Sequence, residues 1–308
     1  MERKVIVIAG PTCSGKTYLS SLISELLDVE IISADSRQIY KTLDIGTAKP
    51  SGAVLRKIPH HFIDKLNPDE DYNISKFEKE GLQKIEEIFL RKKVPVAVGG
   101  SGLYIRALVD GIFDEIDTDE EYREYLQKLR AEQGNEYLYE LLQKADPEGA
   151  DNMLPSNWKR IMRALEVIHL SGKPIWQHQR EYKRNTSFDF LQFGLEWERS
   201  KLYEMIEKRV DEMISNGLIK EVGMILQKGY AAELNSLNTV GYKEIISFLK
   251  NELTLERAVE LIKRNTRRYA KRQLTWFRKD ERIEWIKVKS KGDLKNAADK
   301  ILNKFRST

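Results

Sequence analysis

Short apolar runs alternate with amphipathic stretches over the first hundred residues. Residues 5–9 and 94–98 are apolar and residues 30–33 contain an apolar pair, which is typical of strands buried on both faces of a sheet. Apolar positions recur every three to four residues over 16–27 and 75–90, which predicts helices. Because strands and helices alternate, the pattern predicts an α/β fold in which a parallel sheet is flanked by helices.

The pattern becomes all-helical over residues 116–186. Thr118 and Glu121 have the spacing of a capping box, which predicts that the first helix of this stretch begins there. Gly172 is a typical helix stop. Two further helices are predicted, over 136–144 and from Pro155 to Gly172.

An apolar segment at 188–197 predicts a strand that returns the chain to the sheet. The remaining predicted elements are helices over 200–216, 218–228 and 254–279, a strand over 284–288 and a terminal helix. We therefore expect a core domain formed by 1–115 and 187–308, with a helical insertion domain at 116–186.

The strongest chemical motif lies between the first strand and the first helix. It matches the phosphate-loop pattern G-x-x-x-x-G-K-[ST], in which backbone N–H groups surround a diphosphate at a helix N-terminus. Lys16 would neutralise the diphosphate, and the Thr17 hydroxyl would bind Mg²⁺. The motif predicts a diphosphate site and leaves open whose diphosphate it holds. Its residues are Gly10, Pro11, Thr12, Cys13, Ser14, Gly15, Lys16 and Thr17.

Two further motifs follow strands of the same predicted sheet. Asp35 begins Asp-Ser-Arg-Gln-Ile-Tyr at 35–40, directly after the second strand, and residues 99–102 read Gly-Gly-Ser-Gly after another. Ligands of open parallel sheets bind beyond the carboxyl ends of the strands. Asp35 is therefore a general base, a magnesium carboxylate or a turn cap. The glycines allow close backbone approach to a ligand, although a tight turn is the alternative.

Arg209 falls inside an apolar helical stripe. At 100° per residue it lies on the same face as Ile206 and Val210 of the helix predicted over 200–216. An inward guanidinium needs a carboxylate or phosphate partner. Arg209 is therefore either half of a structural ion pair or a second clamp on the diphosphate.

Composition excludes several classes of protein. The 308 residues are 41% hydrophobic and 32% charged, and their mean hydropathy of −0.52 is typical of a globular chain. We expect neither a signal peptide nor a membrane span. A single cysteine excludes an internal disulfide framework and a cysteine-based zinc site, which favours the reducing cytoplasm. The histidines lack metal-ligand spacing, so we interpret them as structural or surface residues: His60, His61, His169 and His178.

Positive charge is concentrated on two predicted helices. Residues 263–279 contain eight basic side chains and no acidic one, and the helix after Pro155 carries Lys159, Arg160 and Arg163 opposite its apolar stripe. On the longer helix, apolar positions that include Tyr269 and Trp276 share one side. Two cationic faces suit a nucleic-acid backbone, whereas the alternative is a pair of solvated helix surfaces. The cations expected opposite Trp276 are Arg264, Arg267, Arg268, Lys271 and Arg278.

Taken together, the motifs resemble the tRNA dimethylallyltransferase family of bacterial type. Two residues depart mildly from the family pattern, Cys13 where Ala is usual and Ser101 where Thr is usual. The zinc-finger extension of eukaryotic relatives is absent from the sequence. The matching segments are GPTCSGKT at 10–17, DSRQIY at 35–40, PHHFID at 59–64, GGSGLY at 99–104, KRIMRALEV at 159–167, TVGYKE at 239–244 and RRYAKRQLTWFR at 267–278.

The resemblance implies a P-loop NTPase-like core and a prenyl transfer. A dimethylallyl group would pass from dimethylallyl diphosphate, bound with Mg²⁺ at 10–17, to N6 of adenosine 37 in the anticodon loop of tRNAs that read codons beginning with U. It implies catalytic roles for Asp35, Arg209 and Thr17 in a cytoplasmic enzyme, which we expect to be a monomer. The tRNA-binding residues it implies are Asp35, Ser36, Arg37, Gln38, Ser101, Arg123, Lys159, Arg160, Ile161, Met162 and Arg163.

Three other functions share parts of this pattern. A small-molecule kinase has the phosphate loop and a strand-end Asp, but it has no need of two basic helices. A prenyltransferase acting on free adenylate uses the same chemistry, although the helical insertion argues against it. A non-enzymatic RNA-binding NTPase switch would leave Asp35 and Arg209 without a chemical role.

Overall fold

The computed structural model describes residues 3–113, 116–182, 184 and 186–307. Among these residues a six-stranded sheet forms, with every neighbouring pair parallel and the strand order β3-β2-β4-β1-β5-β6. The predicted α/β class with a parallel sheet is confirmed. The strands are β1 (Lys4–Ala9), β2 (Val29–Ser33), β3 (His60–His61), β4 (Val94–Gly99), β5 (Asp189–Trp197) and β6 (Glu284–Val288).

Helices connect the strands and form a separate group between β4 and β5. They are α1 (Lys16–Ser24), α2 (Gly52–Lys57), α3 (Ile74–Leu90), α4 (Gly102–Asp110), α5 (Glu120–Ala145), α6 (Pro147–Ala150), α7 (Trp158–Ser171), α8 (Ile175–Glu181), α9 (Arg199–Ser215), α10 (Leu218–Gln227), α11 (Tyr242–Leu249), α12 (Leu255–Phe277) and α13 (Asp293–Ser307).

The chain divides into two compact units. The first comprises Met1–Val109 with Thr186–Thr308, and the second comprises Asp110–Asn185. The sequence predicts these divisions at 115/116 and 186/187. Residues 114 and 115, at the predicted acidic break, lie outside the described residues.

The sheet is buried on both faces because its side chains alternate. Val5 and Val7 of β1 belong to one apolar cluster, whereas Ile6 and Ile8 belong to the other. This explains why β1 has no polar position facing solvent, as is typical of parallel strands between two helix layers. The parallel order also brings the carboxyl ends of β1, β2, β4 and β5 to one edge of the sheet.

The second unit is helical and has its own core. Leu126, Leu138 and Leu165 are among the residues that form it. Helix α5 is capped by Asp119, whose carboxylate accepts the N–H of Tyr122 at 2.9 Å, so the predicted capping box at Thr118 is wrong. The two helices predicted in its place join into α5 across a break at Gly134, where φ is 89°.

Several short elements were not predicted. These are α2, α4, α6, α8, α11 and the two-residue strand β3. Each has nine residues or fewer, which is too short for helical periodicity to stand out from its surroundings. Across the described residues, none of the helices combines the length and the apolar character that crossing a membrane requires.

Candidate active site

The phosphate loop (residues 10–17) joins β1 to α1 at the edge of the sheet where the carboxyl ends of the strands lie. Gly15 has a φ of 89° and Cys13 a φ of 65°, so the loop curls back on itself before the helix begins. Within the part of the chain that the structure describes, the N–H groups of Cys13, Gly15, Lys16 and Thr17 have no hydrogen-bond acceptor. Unpaired N–H groups at a helix N-terminus are suited to binding an anion.

Lys16 folds over this loop. Its Nζ donates to the carbonyl oxygens of Gly10 at 3.0 Å and Pro11 at 2.7 Å. Burial lowers the pKa of Lys16 to about 8; the negative charge of Asp35 opposes this effect, and the positive charge of Arg209 adds to it. Lys16 is thus a partly buried cation next to a group of free N–H groups, and an anion bound there would stabilise its charge.

Asp35 lies at the end of β2, beside the phosphate loop. Its Oδ1 accepts the N–H of Arg37 at 2.9 Å and of Gln38 at 3.4 Å, so the carboxylate does cap a turn. No bond to Oδ2 is found among the described residues, and Asp35 lines the same cavity as Lys16. One oxygen of Asp35 therefore fixes the carboxylate while the other is available for chemistry.

The residues after Asp35 are held by bonds to other loops. The N–H of Ser36 donates to the Ser101 hydroxyl at 3.2 Å, which ties the end of β2 to the end of β4. Arg37 Nη1 donates to the carbonyl oxygen of Asn235 at 2.7 Å. Gln38 Nε2 donates to the carbonyl oxygen of Thr47 at 3.1 Å. The structure therefore brings Ser36, Arg37, Gln38 and Ser101 together around Asp35.

Arg209 of α9 faces this site, as its position in the apolar stripe predicted. It is partly buried, lines the cavity with Lys16, and forms no ion pair with any described carboxylate. The geometry thus favours an anion clamp over the structural ion pair that the sequence left open. A desolvated guanidinium without a partner is a site for a planar oxyanion group.

These groups converge on one large cavity of the first unit. It has a volume of about 1020 Å³ and contains the phosphate loop, Asp35 and Arg209. Apolar side chains line it as well, including Val98, Met205 and Ile262. A cavity with free N–H groups, two cations, a carboxylate and an apolar wall can hold a diphosphate ester with a hydrocarbon tail.

The oxygen donors of this cavity fit a magnesium ion. Thr17 is exposed at the first turn of α1, and Asp35 offers a carboxylate oxygen in the same cavity. Among the described residues, no group of three or more His, Cys, Asp and Glu side chains is placed to hold a metal. Mg²⁺ commonly binds through one or two protein oxygens and substrate phosphates, so this donor set suits it.

The eight cations of residues 263–279 separate into two groups. Three of them form ion pairs with neighbouring elements: Lys263 with Asp211, Arg267 with Glu207 and Arg278 with Glu196. Trp276, expected on the buried side of the helix, is 39% exposed. The cations of residues 263–279 that have no acidic partner among the described residues are Arg264, Arg268, Lys271, Arg272 and Lys279.

In the second unit, Arg123 and Arg163 share one carboxylate partner. Both bind the carboxylate of Glu166, which is fully buried: Arg123 Nε at 2.7 Å and Arg163 Nη1 at 2.6 Å. Burial raises the pKa of Glu166, but hydrogen bonds from Arg163, the Asp119 N–H and Arg123 outweigh it and leave that pKa below its usual value. Arg123 of α5 therefore binds to α7, whereas Arg163 pairs with a carboxylate of its own helix and is not a free cation. RNA binding by these two arginines stays a prediction.

The other expected RNA contacts of α7 also separate. Ile161 and Met162 are 0% and 7% exposed and belong to the apolar core of the unit, so their side chains are not presented at its surface. Lys159 and Arg160 are exposed and form no ion pair with a described residue. Lys159 and Arg160 are therefore the cations of this helix that are available to a polyanion.

The sequence does not predict several residues that hold the loops of the site in place. Trp197 Nε1 donates to the carbonyl oxygen of Ser14 at 2.9 Å and holds the phosphate loop from β5. Glu221 accepts the N–H of Ile45 at 2.7 Å and the hydroxyl of Tyr242 at 2.6 Å, which fixes the loop before α2. Their signals are single polar residues in apolar surroundings, which sequence alone does not distinguish from surface positions.

Tyr269 of α12 lines the same cavity. Burial, assisted by the negative charge of Asp35, raises the pKa of Tyr269 to about 12, so this cavity-lining phenol stays protonated.

The histidines contact neighbouring side chains and backbone. His61 bonds to Glu30 at 2.7 Å and His60 to the carbonyl oxygen of Ile58 at 2.7 Å. His169 stacks on Tyr122, and His178 stacks on Phe113.

Comparison with known proteins gives one consistent result. A family model described as IPP transferase matches residues 38–280. The tRNA dimethylallyltransferase of Pelotomaculum thermopropionicum is 48% identical over 301 residues, which cover 97% of this chain and 96% of that protein. The tRNA dimethylallyltransferase of Acetivibrio thermocellus is 45% identical over 284 residues, which cover 92% and 91%.

Solved structures agree with the sequence comparison. The crystal structure of a full-length tRNA isopentenylpyrophosphate transferase from Bacillus halodurans has a TM-score of 0.73 at 36% identity, covering 99% of this chain and 97% of that one. A eukaryotic dimethylallyltransferase acting on tRNA has a TM-score of 0.83 at 29% identity, covering 99% and 79%. The resemblance inferred from the motifs is confirmed, and the chain belongs to the IPP transferase family.

Proposed function

We propose that this protein is a tRNA dimethylallyltransferase. It transfers a dimethylallyl group from dimethylallyl diphosphate to N6 of adenosine 37 in tRNAs that read codons beginning with U, and it releases diphosphate. The observation that carries this proposal is the cavity in which Lys16 and Arg209, without acidic partners among the described residues, face the carboxylate of Asp35.

The donor diphosphate binds in the phosphate loop. The free N–H groups of residues 13 and 15–17 bind its oxygens, and Lys16 and Arg209 stabilise the charge that develops as the allylic C–O bond breaks. Thr17 would hold Mg²⁺ beside the diphosphate, where the ion supplies further neutralising charge. The apolar wall of the cavity receives the hydrocarbon tail.

The acceptor nitrogen needs a base. The N6 lone pair of adenine is delocalised into the ring, so the amine is a poor nucleophile. Asp35 Oδ2 accepts the N6 proton as the new C–N bond forms, while Oδ1 keeps the carboxylate oriented through the Arg37 N–H. Positioned general bases contribute about 10²–10⁴ in rate.

The RNA supplies its adenosine from an unstacked position. A closed cavity admits the base only when it has left the anticodon loop stack. The unpaired cations of α12, with Lys159 and Arg160 of α7, bind phosphates and position the RNA without reading its sequence. We place this activity in the cytoplasm and expect a monomeric enzyme.

One experiment tests the reaction, the donor and the acceptor together. The protein is incubated with Mg²⁺ and unmodified tRNA, and with either dimethylallyl diphosphate or ATP. The RNA is digested and searched by mass spectrometry for a prenylated adenosine. Product with the allylic donor alone supports the proposal, whereas consumption of ATP without prenylation overturns it in favour of a kinase or a switch. A parallel reaction with AMP in place of tRNA separates the adenylate prenyltransferase.

A further inference from the structure

Gln273 of α12 joins two loops of the site. Its Oε1 accepts the N–H of Thr12 at 2.9 Å, and its Nε2 donates to the carbonyl oxygen of Gly100 at 2.8 Å. Only one orientation of the amide satisfies both bonds, because Thr12 presents a donor and Gly100 an acceptor. The phosphate loop and the glycine loop (residues 99–102) are therefore connected through one side chain.

The Gln273 side chain is buried and closely packed against the glycine loop. Gln273 is 6% exposed, so its bonds are shielded from water. A Cβ atom at Gly100 would lie 2.2 Å from Nε2, which means that glycine is needed for this close approach. Because tightly packed interiors deform little, a small displacement of α12 is passed through the two bonds of this buried amide to the two loops.

The same helix carries the exposed cations. Arg268, Lys271 and Arg272 lie within five residues of Gln273 and have no acidic partner among the described residues. Arg272 also lines the cavity, as does Tyr269. One short segment of α12 thus presents cations outward and the Gln273 amide inward to the loops.

We infer that Gln273 is a positioning residue that couples RNA binding on α12 to the geometry of the phosphate loop. This inference rests on the proposed function. RNA phosphates on the cations fix α12, and the two amide bonds then hold the Thr12 and Gly100 backbones in the geometry that binds diphosphate. Because coupling between sites is reciprocal, bound diphosphate also strengthens RNA binding.

The test measures this coupling directly. The Kd of inorganic diphosphate with Mg²⁺ is determined by calorimetry with and without an anticodon stem-loop RNA. We expect RNA to tighten diphosphate binding at least fivefold in the unaltered protein, within the usual range of allosteric coupling. In Gln273→Met the ratio falls to about one and kcat falls about a hundredfold, as misplacement of reacting groups predicts. The Kd for RNA alone stays within about twofold, because binding phosphates does not use the amide.

Two further variants separate positioning from general stability. Gln273→Asn keeps the amide but is one methylene too short to reach both loops, so it should lose the coupling although the side chain stays polar. Thr275→Val is the control, because its exposed hydroxyl donates only to the carbonyl oxygen of Lys271, and it should keep both coupling and kcat. Thermal unfolding of each variant identifies those that fold.

The inference is overturned if folded Gln273→Met or Gln273→Asn retains the coupling ratio, or if the unaltered protein shows no coupling. Either result leaves prenyl transfer by the unaltered protein intact. Failure of the proposed function is distinguishable, because then the unaltered protein itself forms no prenyladenosine.

Discussion

Arg209 and Lys16 present two positive charges to one cavity, and neither is neutralised by an ion pair with a described carboxylate. The two charges interact. Burial is the main cause that lowers the pKa of Lys16, and the positive charge of Arg209 lowers it further. Two like charges in a partly desolvated site repel each other until an anion binds between them. The arrangement therefore favours a ligand that carries several negative charges.

Replacement of Arg209 by methionine should weaken diphosphate binding without weakening the fold. Hydrogen bonds to charged groups contribute about 1.5–3 kcal/mol, so we expect the Kd of inorganic diphosphate to rise about 10- to 150-fold. The free energy of unfolding should change by less than about 0.5 kcal/mol, because no ion pair is broken. Calorimetry and denaturant unfolding measure the two quantities. Lys201→Met, on the same helix but exposed, is the control, and an unfolding change without a binding change would identify Arg209 as structural.

Diphosphate affinity should fall as the pH rises above 8. Lys16 has a pKa of about 8 in the free protein, and a bound polyanion raises that pKa. Between the two values the complex holds one more proton than the free protein, so binding takes up a proton and Kd increases about tenfold per pH unit. Below pH 7 Lys16 is charged in both the free and the bound protein, so its titration should no longer change the Kd of diphosphate. Calorimetry in buffers of different ionisation enthalpy measures the proton uptake.

The matched variant for this pH dependence is Lys16→Arg. Guanidinium stays charged throughout the range, so the variant should bind diphosphate without proton uptake between pH 8 and 10. A pH dependence that persists in Lys16→Arg would assign the titration to another group.

The sheet and the main site were predictable because their signals are local. Buried parallel strands are continuous apolar runs, and the phosphate loop is a contiguous motif beside one of them. Arg209 was predictable for a similar reason, since a cation inside an apolar stripe conflicts with the helical pattern unless it has a partner. The rule for strand ends predicts the position of Asp35, and the structure shows that its Oδ1 caps a turn, while its role as a base stays a prediction.

The failures come from partners that are distant in sequence. Glu166 is only three residues from Arg163, but the carbonyl oxygen of Ile116, to which Arg163 also donates, and Arg123, which shares Glu166, meet it only in the folded unit. Gln273 gave no signal, because its partners lie 261 and 173 residues away. Charge patterning finds a cation, but it does not show whether a buried carboxylate already binds it.

Replacement of Asp35 by asparagine isolates its role as a base. Asparagine keeps an oxygen that accepts the N–H of Arg37, so the turn is retained while the basic oxygen is lost. We expect kcat to fall at least about a hundredfold, with RNA affinity within about twofold. Single-turnover prenylation and a filter-binding assay measure these quantities. Asp35→Ala removes the cap as well and should additionally lower stability; near-normal turnover in Asp35→Asn would reduce Asp35 to a turn cap.

Substitutions on α7 should separate RNA binding from stability. Arg160→Ala together with Lys159→Ala removes two exposed cations without ion-pair partners, so RNA affinity should fall and its salt dependence should flatten by up to about two phosphate contacts. Arg163→Met instead leaves the buried Glu166 short of a partner and should destabilise the unit by about 3 kcal/mol. Affinity measured across a salt series and denaturant unfolding distinguish the two effects. An unchanged salt slope in the double variant would remove α7 from the RNA-binding surface. An undiminished stability of Arg163→Met would mean that Arg123 and the Asp119 N–H together satisfy Glu166.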